Sequence, residues 1–156
     1  MGLPAIAQPS AQAKEADLRA AIIHRILSFT DWPQTEDAQV QICTLGDDDS
    51  IRSFKSLKSI KLRNQQELKI VDYKNRIVEA TCSALIISKA HQTKLPDFNF
   101  TICNDCSTKK NASTVNLIRV NNQIRYNINL ADAAKSGIRF QSDVIKWANK
   151  VVKPND

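Results

Sequence analysis

The chain has few of the residues from which catalytic and cofactor sites are usually built. Among 156 residues there are only three glycines and two histidines, and neither a glycine-rich phosphate-binding motif nor a Ser-His-Asp set is present. His24 and His91 have no companion at metal-site spacing, so each is interpreted as an ordinary surface or core histidine. The candidate acids are scattered along the chain: Asp17, Asp31, Glu67 and Glu79. We therefore expect a non-enzymatic protein with no catalytic residue, no cofactor and no bound metal.

The sequence also lacks a long hydrophobic run. No stretch approaches the roughly 20 apolar residues that a membrane-spanning helix requires. A hydrophobic fraction of 42% with 24% charged residues is ordinary for one globular domain of this length. The net charge of +6 permits an anionic partner. The most basic segment, Arg52 to Arg63, has only Phe54 for base stacking, so we expect a solvated face and no nucleic-acid partner.

The N-terminal residues suggest export. Ala5-x-Ala7 and Ala11-x-Ala13 resemble the small-residue end of a signal peptide, although the charged and apolar regions that should precede it are missing. We expect the mature part of an exported precursor, with Met1-Gly2 added for expression; a disordered leader is the alternative. The predicted organisation is a flexible leader at residues 1–13, one domain at residues 14–152 and a tail at residues 153–156.

Helix and strand patterns alternate along the chain. Apolar residues at helical spacing predict a first helix from Lys14 to Phe29, with Leu18, Ile22 and Ile26 on its buried stripe. Trp32, at the helix exit, is expected to cover the core. Strands are predicted at residues 39–45, 68–73, 82–88 and 98–103, and short helices at residues 51–57, 77–80 and 89–95. The alternation predicts an α/β fold, a single domain with a mixed β-sheet flanked by helices on both faces, the 82–88 strand being central.

The best-specified local structure is a C-terminal β-hairpin. Two alternating runs flank Asn121-Asn122, and asparagine tolerates the positive φ that a two-residue hairpin turn requires. If Val120 faces Gln123, opposed residues sum to 243, so Leu117 meets Tyr126 on the apolar face. The hairpin is expected to need a partner sheet for that face.

Capping residues mark the predicted helix ends. Three aspartates at residues 47–49 lack the spacing of a calcium-binding loop, so we expect them to form a turn and cap the 51–57 helix. After the hairpin, Gly137 is expected to end a first short helix. Ser142 is expected to cap a second short helix, with its apolar residues on one side: Val144, Ile145, Ala148 and Val152.

The four cysteines carry the most chemical information, and an even number favours an oxidising compartment. Cys103 and Cys106 form a C-x-x-C unit that ends a predicted strand, whereas thioredoxin-like enzymes place this unit at a helix start. We expect a local disulfide there; free thiols, and then a metal or redox site, are the alternatives. Cys43 and Cys82 can meet if their strands are neighbours. Closing that loop of about 40 residues would stabilise the fold by about 4 kcal/mol on the chain-entropy model.

Four stretches stand out when they are considered together. They are residues 26–33 (ILSFTDWP), residues 41–46 (QICTLG), residues 82–88 (CSALIIS), and residues 124–130 (IRYNINL) followed by Ser136-Gly137-Ile138-Arg139. Their order and spacing resemble those of YfiR-like proteins, whose closing pattern is V-x-F-x-I/V-N-L followed by S/A-G-hydrophobic. The resemblance covers roughly Glu15 to Val151.

The resemblance implies a small periplasmic protein of Gram-negative bacteria. In the best-known system, YfiR restrains the periplasmic sensory domain of a membrane-bound diguanylate cyclase, YfiN, and the outer-membrane lipoprotein YfiB relieves this restraint by sequestering YfiR. We therefore expect a homodimeric repressor that lowers cyclic di-GMP and biofilm formation. One alternative is a periplasmic small-ligand sensor acting with a histidine kinase or another membrane receptor. The other is a thiol-exchange enzyme.

The resemblance also bears on the cysteines. Cys43 and Cys82 occupy the positions of the family's long-range disulfide. The resemblance implies a second bridge across a C-x6-C unit, whose first cysteine would correspond to Cys106, and Asn116 stands about where the second would be. Cys103 has no counterpart, so a Cys103–Cys106 bond would be a rearranged version. The resemblance implies no particular partner-binding residues.

Overall fold

A computed structural model of the protein describes residues 11–32, 39–62, 65–73, 82–88, 100–106, 113–135 and 137–153. The described helices are α1 (Ala11–Ser28), α2 (Asp49–Lys55), α3 (Leu130–Lys135) and α4 (Ser142–Trp147). The described strands are β1 (Thr30–Asp31), β2 (Gln39–Leu45), β3 (Ser59–Lys61), β4 (Glu67–Asp72), β5 (Cys82–Ser88), β6 (Thr101–Asn104), β7 (Val115–Val120), β8 (Gln123–Asn129), β9 (Arg139–Phe140) and β10 (Lys150–Val152). The helices predicted at residues 77–80 and 89–95 lie outside the described residues.

Eight of these strands form one mixed sheet, in the order β10-β8-β7-β6-β5-β2-β4-β3. Strands β4, β2, β5, β6 and β7 are parallel to their neighbours in this series. At one end of the sheet, β8 pairs antiparallel with β7, and β10 pairs in parallel with β8. At the other end, β3 pairs antiparallel with β4. Strands β1 and β9 form a separate two-stranded ladder. The predicted α/β class is confirmed, with one domain, a mixed sheet, and a hairpin followed by two short helices.

The central strand β5 is buried on both of its faces, as predicted. Because side chains alternate along a strand, Ala84 and Ile86 enter the main core, whereas Leu85 and Ile87 join a second cluster on the opposite face. The main core includes residues from all four described helices: Ile23, Phe54, Ala133 and Val144. The second cluster contains Cys43, Cys103 and Cys106.

The buried stripe of α1 differs from the predicted one. Ile26 is buried and Ile22 is partly buried, but Leu18 is 49% exposed, so its predicted place in the core is wrong. The buried side of the helix instead includes Ala20, which lies three residues before Ile23. Leu18 lies outside that face because two residues of helix correspond to a rotation of about 200°.

Trp32 covers the core, as predicted. It is 7% exposed, and its indole Nε1–H donates to the Leu27 carbonyl oxygen at 3.4 Å. Its ring centroid lies 5.5 Å from that of Phe100, which in turn lies 5.8 Å from that of Phe140 on β9. This aromatic row closes the core beside the small β1–β9 ladder.

The hairpin has the predicted register. Leu117 lies opposite Tyr126, and Val120 lies opposite Gln123. At the turn, Asn121 has φ 49° and Asn122 has φ 63°. Two successive positive φ values match the right-handed twist of the flanking strands.

Two of the predicted helix ends are confirmed by their hydrogen bonds. Asp48 caps α2, because its Oδ1 accepts the Ile51 N–H at 2.8 Å. Gly137, with φ 69°, follows α3. The Gly137 N–H donates to the Ala134 carbonyl, and the Ile138 N–H donates to the Ala133 carbonyl, each at 3.1 Å. This pair of bonds is a Schellman motif, which requires the left-handed conformation that glycine adopts without strain.

The prediction for the last helix is wrong at both ends. Gln141 occupies the N-cap position, and Ser142 is already the first residue of α4. Ala148 then turns extended, with φ −67° and ψ 144°, and the Asn149 N–H donates to the Tyr126 carbonyl at 2.8 Å. Val152 therefore lies in β10, beside β8. The prediction placed it in the helix because a β-branched side chain fits a helical stripe as well as a strand.

Candidate functional site

A groove with a volume of about 300 Å³ lies between α1, β8 and α4. Its apolar lining consists of Ile22, Ile26, Ile124, Tyr126 and Val144. Three cations and one further aromatic residue complete it: Arg25, Arg125, Lys146 and Trp147. An apolar surface bordered by positive charge is suited to a partner segment that carries both apolar and acidic side chains.

Helical and strand periodicity explain why these residues meet. On α1, Ile22, Arg25 and Ile26 follow i, i+3, i+4 spacing and therefore share one side of the helix. On β8, Ile124 and Tyr126 are two residues apart and point to the same face of the sheet. The Tyr126 hydroxyl donates to the Val144 carbonyl oxygen at 2.6 Å, which ties the hairpin to α4.

Trp147 is the exposed aromatic residue of the groove. It is 39% exposed, and the guanidinium carbon of Arg25 lies 3.8 Å from the centroid of its ring. This geometry is a cation–π contact. Burial raises the pKa of Tyr126, against the opposing positive charges of Arg25 and Arg125. The phenol therefore stays neutral and remains a hydrogen-bond donor within the groove wall.

A polar network lies at the carboxyl ends of β2 and β6. Arg19 of α1 is only 6% exposed, and its Nη1 donates to Asn104 Oδ1 at 2.6 Å, while its Nε donates to Glu15 Oε1 at 3.1 Å. The Asn104 Nδ2 donates to Asp48 Oδ2 at 3.4 Å. Arg119 of β7 pairs with the other oxygen of Glu15. The network joins α1 to the cap of α2 and to the end of β6.

The charges of this network favour an ionised Glu15. The hydrogen bond from Arg119 is the main cause that lowers the pKa of Glu15, with a further contribution from Arg19 and with burial opposing both. The edge where parallel strands end is a common place for ligands in α/β proteins. Here, however, Asp48 and Asn104 use both of their polar side-chain atoms on neighbouring groups. The network therefore serves to hold α1 against the sheet.

The structure brings together both cysteine pairs that the sequence singles out. Cys43 on β2 is joined to Cys82 at the start of the neighbouring strand β5, with their Cα atoms 5.8 Å apart. Cys103 is joined to Cys106, with a Cα separation of 5.7 Å. Both separations lie within the range of protein disulfides. The first pair crosslinks two strands that are distant in sequence, whereas the second closes a local turn.

Those remaining candidate residues that the structure describes do not converge. Asp17 on α1 accepts a hydrogen bond from the Ser53 hydroxyl at 2.8 Å, Asp31 accepts one from Gln141 at 3.4 Å, and Glu67 lies on β4. His24 is part of α1, while Glu79 and His91 lie outside the described residues. Across the described parts of the chain, no group of three or more His, Cys, Asp or Glu side chains could hold a metal ion.

The basic segment is partly neutralised by neighbouring carboxylates. Arg52 pairs with Asp49, and Lys55 Nζ lies 2.6 Å from an oxygen of Asp72. These contacts are at least partly exposed to solvent. This arrangement agrees with the predicted solvated face.

Sequence reasoning did not identify the groove or the network. Arg25 and Trp147 are 122 positions apart, and no local pattern connects them. The one available indication was the helical spacing of Arg25 with Ile22, which places a cation beside the apolar stripe of α1.

None of the curated proteins matches this chain. Among the described residues, no helix is both long and apolar enough to cross a membrane. The family model described as YfiR/HmsC-like matches residues 16–149, a range that includes both cysteine pairs and every residue that lines the groove. Because this match spans most of its 156 residues, the chain belongs to the YfiR/HmsC-like family.

Proposed function

We propose that the protein is a periplasmic regulator that binds and represses the periplasmic sensory domain of a membrane-bound diguanylate cyclase. It would thereby lower cyclic di-GMP and biofilm formation. The observation that carries the proposal is the family match over residues 16–149, because the members of this family are regulatory proteins. The two cysteine pairs support an oxidising compartment such as the periplasm, where disulfides persist.

The groove between α1, β8 and α4 is the proposed docking surface. Its exposed Trp147, its Tyr126 and its arginines belong to the residue types that dominate binding energy in protein interfaces. Arg25, Arg125 and Lys146 favour a partner segment with acidic side chains. The net charge of +6 acts in the same direction, because it attracts an acidic partner during encounter. We therefore propose that the occupant is a partner segment whose apolar side chains enter the groove. Its acidic side chains would pair with the arginines and the lysine of the groove.

Repression follows from differential binding. The protein lowers cyclase activity only if it binds the inactive arrangement of the sensory domain better than the active one. A tenfold preference corresponds to about 1.4 kcal/mol, so the loss of a single interface contact can remove most of the effect.

The wider set of partners is also proposed. A second copy of the chain would form a homodimer, and an outer-membrane lipoprotein would compete for the repressor and release the cyclase. Both are proposed by analogy with the best-known system of the family that the chain belongs to. Sedimentation of the purified protein at several concentrations would detect the dimer, and a purely monomeric protein would refute that part of the proposal.

The test of the function is a gene deletion with complementation. Deleting the gene should raise cellular cyclic di-GMP and biofilm mass, and restoring the wild-type gene should lower both. The control is complementation with a copy that lacks its export sequence, which should fail because the protein would stay in the cytoplasm. An unchanged cyclic di-GMP level in the deletion strain would refute the repressor function.

A further inference from the structure

The turn between Cys103 and Cys106 is held by contacts that do not involve its disulfide. Asn116, on strand β7, is the register partner of Cys103 on strand β6 and is 5% exposed. Its Oδ1 accepts the Cys106 N–H at 3.2 Å, and its Nδ2 donates to the Cys106 carbonyl oxygen at 3.0 Å. Both backbone polar groups of Cys106 are therefore satisfied by one side chain.

The two residues between the cysteines have anchors of their own. The Asp105 N–H donates to the Leu117 carbonyl at 2.8 Å, and Asp105 has φ 66°. The Asn104 side chain is bound by Arg19 and Asp48 in the polar network. Asn104, Asp105 and Cys106 are thus each fixed to another element of the fold.

The disulfide itself should stabilise the folded protein less than a crosslink between distant residues would. Its cysteines are three positions apart in sequence, and the entropy that a crosslink removes from the unfolded chain grows with the length of the loop it closes. Loss of Asn116, in contrast, would leave a buried N–H and a buried carbonyl without partners, since Cys106 is 5% exposed. The Asn116 hydrogen bonds therefore restrain the folded turn independently of the covalent bond.

We propose that the Asn116 carboxamide holds the Cys103–Cys106 turn in place whether or not its disulfide is formed. This inference does not depend on the proposed repressor function, because it concerns a device inside the fold. The proposal gives the two cysteine pairs different roles. Only the Cys43–Cys82 disulfide would be needed to hold together parts of the chain that are distant in sequence.

The test is amide hydrogen exchange at Asp105, whose N–H bond to Leu117 does not involve the Asn116 side chain. In the Cys103→Ala/Cys106→Ala variant, Asp105 exchange should stay within about threefold of wild type. In Asn116→Ala, with the disulfide intact, it should accelerate at least tenfold, as the loss of buried hydrogen bonds implies. The amides of β5 report global unfolding, and their exchange normalises each comparison.

A second substitution keeps the test decisive if Asn116→Ala does not fold. Asn116→Asp preserves the size of the side chain and one acceptor for the Cys106 N–H but removes the donor to its carbonyl. We expect Asp105 exchange to accelerate in this variant more than in the cysteine double variant. If the cysteine variant loses Asp105 protection to the same extent as the Asn116 variants, or to a greater extent, the proposal is overturned.

Discussion

The guanidinium group of Arg19 donates a 2.6 Å hydrogen bond to the side-chain oxygen of Asn104, which lies 85 positions later in the chain. This bond joins α1 to the turn between the second pair of cysteines. The same helix carries Ile22 and Arg25 on the groove that we propose as the docking surface. One helix therefore carries both part of the proposed docking surface and the polar contact at the carboxyl edge of the sheet.

Removing the Arg19 side chain should destabilise the protein substantially. Arg19→Ala leaves the buried Asn104 oxygen without its donor and Glu15 without one of its two arginines. We expect a loss of about 2 to 3 kcal/mol in the free energy of unfolding, measured by urea denaturation. The matched control is Arg52→Ala, which breaks an exposed pair with Asp49 and should leave the free energy of unfolding nearly unchanged. Equal effects of the two substitutions would contradict the structural role of the network.

The two disulfides should contribute unequally to stability. Cys43→Ala/Cys82→Ala removes a crosslink between residues 39 positions apart, and we expect it to cost about 4 kcal/mol on the chain-entropy model. Cys103→Ala/Cys106→Ala should cost about 2 kcal/mol, because its loop is much shorter. Guanidinium unfolding of both variants measures the difference. A larger loss for the second pair would show that this assignment of roles is wrong.

Glu15 should make the stability of the protein depend on acidic pH. Its pKa in the folded protein lies below the ordinary value of 4.5, chiefly because of the hydrogen bond from Arg119. A lowered folded pKa gives a stabilisation that is complete above the unfolded pKa and lost as the pH falls through the folded one. The melting temperature of the wild type should therefore fall more steeply below about pH 4.5 than that of Glu15→Gln. Parallel curves for the two proteins would exclude this contribution.

Local features of the fold could be predicted because their causes are local. The hairpin register follows from Asn121-Asn122 and the alternation around it, and the end of α3 follows from Gly137. The apolar run of β5 has only one favourable location, at the centre of a sheet. In each case, a few adjacent residues determine both the conformation and the buried face.

The contacts that position the candidate site could not be predicted in this way. Arg19 and Asn116 look like ordinary surface residues, and their burial depends on partners far away in the sequence. Val152 fits a helical stripe and a strand equally well, so only its pairing with β8 places it. The misplacement of Leu18 has the same origin, since the orientation of α1 is set by the sheet beneath it. Long-range packing decided each of these positions.

The central claim is that the groove binds the sensory domain of the cyclase. Trp147 is the most exposed apolar side chain of the groove lining. Leu57, which is 43% exposed and is not part of the groove lining, provides a matched control. The direct measurement is calorimetric titration of the purified protein with the purified periplasmic domains of membrane-bound diguanylate cyclases from the same organism. One of these domains should bind the wild type and Leu57→Ala with equal affinity and bind Trp147→Ala at least tenfold more weakly. Binding that is absent for every domain, or unchanged by Trp147→Ala, would contradict the account.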